Sequence, residues 1–206
     1  TLKKDDSVEK IIEIFLLSGS RDLPVSENGK LVGIVSEMDV LETVENNRTA
    51  KDVMRPIKYT SKPQESVVDA RKKLISHKVN RLPVIDDSGK LKGIISTIDL
   101  LDYIMPAESG SRGGRKGEAS VKLGDVKVNS VMQNKVYTVK PDERLNNIIS
   151  YMKDNSVSSV IVAESGNPVG IITPKCILSF IVPLAQNFTE LVVTGLSNTY
   201  IDKKYI

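Results

Sequence analysis

The sequence predicts an α/β fold of the α+β kind, made of repeated β-α-β-β-α units packed as pseudo-symmetric pairs. Three observations carry this. VMRPIKYTSKPQESVVDA (53–70) aligns without gaps on VMQNKVYTVKPDERLNNI (131–148). RLPVIDDSGKLKGIISTIDLL (81–101) matches DLPVSENGKLVGIVSEMDVL (22–41) and, more loosely, SVIVAESGNPVGIITPKCIL (159–178). A hydrophobic share of 40% with 4% aromatics and no Trp leaves Val, Ile and Leu to build the core. Self-similarity at a period of about sixty residues means stacked supersecondary units, none of which buries its apolar face alone.

Each unit reads the same way along the chain. An extended leader such as KVYTV (135–139) runs into a helix with one apolar face. That face is Val8, Ile11, Ile12, Phe15 and Leu16 in the first copy, and Leu145, Ile148, Ile149 and Met152 in the third, the i, i+3, i+4 spacing of an amphipathic helix. A short strand (LPVS, RLPVI or SVIVA), a Gly- or Asn-bearing turn (ENGK, DDSGK or ESGN) and a second strand (LVGIVS, LKGIIS or PVGIIT) form a hairpin. Ser36, Ser96 and Thr173 then stand at N-cap positions of a second helix, with Pro174 at a first helical position.

The domain reading is repeat 1 over 1–48, repeat 2 over 49–106, a basic Gly/Ser-rich linker over 107–120, repeat 3 over 121–183 and a tail over 184–206. Thr1 aligns with Thr60, so the leader strand ahead of Thr1 is expected to be lost, and ENNRTAKDV (45–53) is expected as a short connection. The tail resembles no part of the repeat and reads as the opening of a further domain. Repeats 1 and 2, in tandem over 1–106, are expected to form the pair, and the third repeat to meet its own copy in a homodimer.

Composition excludes several classes. Lys and Arg exceed Asp and Glu by 29 to 26, a net charge of +3, too little by itself to imply nucleic acid. One cysteine, Cys176, and one histidine, His77, leave no His/Cys metal site and no Cys–His nucleophile system, so no catalytic residue is assigned. A single cysteine and no recognisable signal peptide point to a reducing, cytoplasmic location. CILSFIVPLA (176–185) is about half the length of a membrane span, so no membrane partner is expected.

The LPV strands, with the steps GIVSEMD (33–39) and GIISTID (93–99), resemble the cystathionine β-synthase-type (CBS) domain. The resemblance covers nearly all of 1–106 and 121–183. It implies a regulatory module, not an enzyme, whose clefts take AMP, ADP or ATP, with magnesium accompanying ATP, and S-adenosylmethionine ranking lower. It further implies that Asp39 and Asp99 accept the two ribose hydroxyls, a task that suits a carboxylate. Ser36, Ser96, Thr1 and Thr60 would supply hydroxyl contacts. Pro24, Val25, Pro83 and Val84 would line the adenine, and Arg81 and His77 would meet phosphate. Ser-x-x-Asp is also a capping box, which is the competing use of both acids. In the third repeat Cys176 replaces the acid, and no ordinary adenosine site is expected there. A second functional reading is a ribosome- or RNA-associated protein acting through SRGGRKG (111–117) and the tail.

Overall fold

The computed structural model describes residues 1–43, 47–104 and 123–185, so the linker and nearly all of the tail lie outside the described residues. Repeat 1 comprises β1 (Leu2–Lys3), α1 (Val8–Ser18), β2 (Asp22–Glu27), β3 (Lys30–Ser36) and α2 (Glu37–Glu42). Ser7 caps α1 by accepting the Lys10 N–H, and Gly19 ends it at φ +67°, donating its N–H to the Phe15 carbonyl. The predicted stripe buries Val8, Ile11, Ile12 and Phe15. Asn28 and Gly29, both at positive φ (51° and 76°), make the tight turn between β2 and β3. Leu2 pairs in parallel with Val25. The two residues after Thr1 thus form a short strand, β1, on the hairpin edge.

Repeat 2 comprises α3 (Ala50–Val53), β4 (Arg55–Pro56), α4 (Val67–Ser76), β5 (Arg81–Ile85), β6 (Leu91–Ser96) and α5 (Thr97–Ile104). The short connection ends in α3, because Thr49 and Asp52 form a capping box around one helical turn. Repeat 3 opens with 3-10 turns at Leu123–Asp125 and Val128–Ser130. It continues as β7 (Thr138–Val139), α6 (Leu145–Asp154), β8 (Val160–Glu164), β9 (Asn167–Ile172) and α7 (Pro174–Ala185). Leu145, Ile148, Ile149 and Met152 are all buried, as their spacing predicts. The sheets run β1-β2-β3, β5-β6 and β4-β9-β8-β7, the last taking its edge strand from the leader of repeat 2.

The chain divides into two compact units. Among the described residues, unit 1 holds those within 1–55, 139–162 and 171–185. There α1 packs on α7, and α2 packs on α6 and α7. Glu42 and Lys153 form an ion pair, and the Ala50 N–H reaches the Glu143 carbonyl at 2.8 Å. Unit 2 holds residues 56–138 and 163–170. Its core is Val67, Ala70, Leu74, Leu82, Val84, Ile95, Leu100, Val126 and Val128.

Within unit 2, repeats 2 and 3 exchange main-chain hydrogen bonds. Ile94 and Gln133 donate to each other's carbonyls at 3.0 and 2.9 Å, the Ile57 N–H reaches the Val169 carbonyl at 3.3 Å, and the Leu91 N–H reaches the Gly166 carbonyl at 3.2 Å. Ile57 and Gln133 lie on aligned leaders, so each leader bonds to the other repeat's hairpin. Repeat 2 is thus paired with repeat 3, where the sequence reading pairs it with repeat 1 and sends the third repeat to a second chain. The physical reason is that an extended leader carries unpaired N–H and C=O groups, which the neighbouring hairpin edge satisfies. The consequence is visible in burial. Pro83 and Ile94 on repeat 2 are buried, while their counterparts Pro24 and Ile34 on repeat 1 are exposed.

Candidate functional site

Each hairpin delivers a hydroxyl residue to the head of a helix. Asp39 Oδ2 accepts the Ser36 N–H and hydroxyl, both at 2.8 Å. Asp99 Oδ2 accepts the same two groups of Ser96 at 2.7 and 2.6 Å. In repeat 3 the Cys176 N–H donates to Thr173 Oγ1 at 3.3 Å, so the cap survives without an acid. Thr49 with Asp52, and Ser66 with Asp69, build related caps on helices outside the hairpins. Hydroxyl-x-x-Asp is therefore first a helix-starting device in this chain. The competing use of both acids is thus present, and one oxygen of each is committed to its cap.

Asp99 has a second attachment. Its Oδ1 accepts the side-chain amide of Gln133 at 2.7 Å, and Gln133 belongs to the leader of repeat 3. Arg81 stands opposite Ser96 in the β5–β6 register, which brings Arg81, Ser96 and Asp99 to one end of the hairpin. Pro83 and Val84 follow along β5, buried. The Pro83 carbonyl accepts the Ser61 N–H at 3.0 Å. Thr60 is half-buried, and its carbonyl accepts the Lys73 ammonium at 3.1 Å.

His77 lies at the far end of α4. It is the exposed C-cap of α4, with its ring stacked on Tyr59 at 3.6 Å between centroids and 6° between planes. A ring so placed packs against the leader through Tyr59. On repeat 1, Asp22 faces Ser36 across the hairpin and Val25 is buried, while Thr1, Pro24 and Asp39 are exposed. A cavity of about 300 Å³ opens there, lined by Arg21, Ser36, Glu37, Lys153, Ser156 and Pro174. Burial pushes the Glu37 carboxyl above its usual range, with Arg21 and Lys175 pulling the other way. A larger cavity of about 440 Å³, lined by Arg71, Leu74, Lys78, Thr97 and Leu100 among others, lies on the helix side of repeat 2 and includes none of the expected binding residues.

Two features went unread in the sequence. Ser61 is fully buried and donates to Glu65 at 2.6 Å, and Lys73 donates to the same carboxylate at 2.8 Å. Burial alone would raise Glu65, but the Lys73, Ser61 and Lys62 donors outweigh it and hold the carboxyl below its usual range. Gln133 was visible only as one of the aligned leader residues, because its contact with Asp99 depends on which repeats pair. Among the described residues there is no metal-binding cluster of His, Cys, Asp and Glu, and no helix is long and apolar enough to cross a membrane.

The CBS domain profile matches residues 1–46, 50–106 and 128–183, and the chain belongs to the CBS domain family. Among curated relatives, it is 27% identical over 176 residues to the uncharacterized protein MJ1404 of Methanocaldococcus jannaschii, covering 82% of this chain and 42% of that protein. It is 28% identical over 173 residues to an inosine-5'-monophosphate dehydrogenase of Korarchaeum cryptofilum, covering 82% of this chain and 35% of the enzyme. The chain thus spans well under two thirds of either relative. Among solved structures, protein MJ1225 of Methanocaldococcus jannaschii, described by its likeness to g-AMPK, shares the fold with a TM-score of 0.66 and 23% identity, over 88% of this chain and 66% of that one. The CBS domain pair of protein MJ0100, solved with 5'-methylthioadenosine and S-adenosyl-L-methionine, matches with a TM-score of 0.53 and 26% identity, over 65% of this chain and 99% of that one.

Proposed function

We propose that this chain is a regulatory module that binds an adenosine-containing small molecule on repeat 2, with Asp99 holding the ribose. The observation that carries this reading is the convergence of Asp99, Ser96 and Arg81 at the end of the β5–β6 hairpin, beside the leader of repeat 3. A half-buried carboxylate at that place suits vicinal hydroxyls, and Arg81 suits a phosphate where the ligand has one. The adenosine ligands of the MJ0100 pair support the same class, and S-adenosylmethionine and methylthioadenosine join AMP, ADP and ATP as candidates for the test. Repeat 2 is the better site than repeat 1, because Asp39 and Pro24 stand exposed where Asp99 is half-buried and Pro83 buried. A ligand held between paired repeats regulates by favouring one packing of the pair over another.

The test is a thermal-shift panel of AMP, ADP, ATP with magnesium, S-adenosylmethionine and methylthioadenosine on the full chain. A ligand at a hundred times its Kd stabilises by about 2.7 kcal/mol, or a rise of roughly 5–11 °C for a chain of this size. No shift with any compound would overturn the reading.

A further inference from the structure

Resting on the adenosine reading above, we infer that Gln133 competes with the ribose for Asp99 and sets both the affinity of the site and its preference for a 2′-hydroxyl. A carboxylate offers about four acceptor positions, two on each oxygen. Oδ2 of Asp99 already receives the Ser96 N–H at 2.7 Å and the Ser96 hydroxyl at 2.6 Å. Oδ1 receives the Gln133 amide at 2.7 Å, which leaves one position open. A single sugar hydroxyl fits beside these partners, whereas a vicinal diol needs one of them to leave.

Ser96 is the harder group to displace, since its N–H belongs to the backbone at the head of α5 and both donors share the cap. The Gln133 amide sits at the end of a flexible side chain. The Gln133 backbone is pinned to Ile94 by a reciprocal pair of hydrogen bonds at 3.0 and 2.9 Å, so the amide swings away without unpairing the strands. Entry of a ribose thus removes a tie between repeats 2 and 3, and affinity for a diol is reduced by the strength of that tie.

The experiment is isothermal titration calorimetry on the full chain with AMP, 5'-methylthioadenosine and 2′-deoxy-AMP, comparing wild type with Gln133→Leu. Leu keeps the bulk and the backbone pairing while removing the amide. Gln133→Ala is the second variant, and a thermal melt shows whether each remains folded. A net hydrogen bond to a charged group corresponds to a tightening of roughly 10- to 150-fold for the two ribose ligands, with 2′-deoxy-AMP little changed. Unchanged or weaker ribose binding in both variants, or an equal gain for the deoxy compound, would overturn the role of Gln133 alone. Absence of binding by wild type and variants alike would overturn the adenosine reading, and the role of Gln133 with it.

Discussion

Gly93→Ala tests the pairing of repeats 2 and 3 with one methyl group. A Cβ at Gly93 would stand 2.7 Å from Met132 Sδ and 2.8 Å from the Gln133 carbonyl oxygen. The sulfur ends a flexible side chain and can yield. The oxygen cannot yield cheaply, because it accepts the Ile94 N–H at 3.0 Å and belongs to the strand exchange itself. Overpacking of this kind costs about 1–3 kcal/mol, and the melting temperature of a chain this size falls by roughly 2–4 °C per kcal/mol. The expected loss is therefore about 2–12 °C by circular dichroism or calorimetry. Gly124→Ala is the control, since an added Cβ there meets nothing within 4 Å. Adding Met132→Ala to Gly93→Ala should recover only the part due to the sulfur. A Gly93→Ala protein that melts together with the wild type and the Gly124→Ala control would refute the close approach of the repeat 3 leader to β6.

Leu82→Ala empties a fully buried position in the core of unit 2 and should destabilise by about 2–5 kcal/mol, read by urea denaturation. Ser36→Ala removes the N-cap hydroxyl of α2 and should cost about 0.5–2 kcal/mol, with the same measurement. Glu65 gives a pH dependence with a definite sign. Its folded-state carboxyl lies below the ordinary value of 4.5, so its contribution is complete above that pH and is lost as pH falls through the depressed folded value. Glu65→Gln should therefore flatten the acid limb of the melting temperature against pH. An unaltered acid limb would show that the Ser61–Glu65–Lys73 cluster does not hold the charge.

The sequence made the repeat grammar legible because that grammar is local. The stripe of Ile11, Ile12 and Phe15, the Asn28–Gly29 turn and the Ser36 and Ser96 caps each depend on neighbours within a few residues. The partner of repeat 2 was not legible. Tandem order favours repeat 1, and the hydrogen bonds of Ile57, Leu91, Ile94 and Gln133 assign repeat 3. For the same reason the site was half visible. Ser96 and Asp99 stand three apart in the chain and announce themselves, while Gln133 lies 34 positions from Asp99 and reaches it only through the pairing. The stacking of His77 on Tyr59 likewise joins residues that no helical or strand period relates.

The most direct measurement is calorimetric titration of the wild type and of Asp99→Asn with whichever adenosine compound gives the largest thermal shift. Asn keeps a side-chain oxygen to accept from Ser96 and removes the charge, so the helix cap remains while the hold on the ribose weakens. Losing hydrogen bonds to a charged group worth about 1.5–3 kcal/mol lowers affinity roughly 10- to 150-fold. That loss, in a protein whose melting temperature stays close to wild type, is the predicted result. Equal affinity in the two proteins would contradict the assignment of the ribose to Asp99.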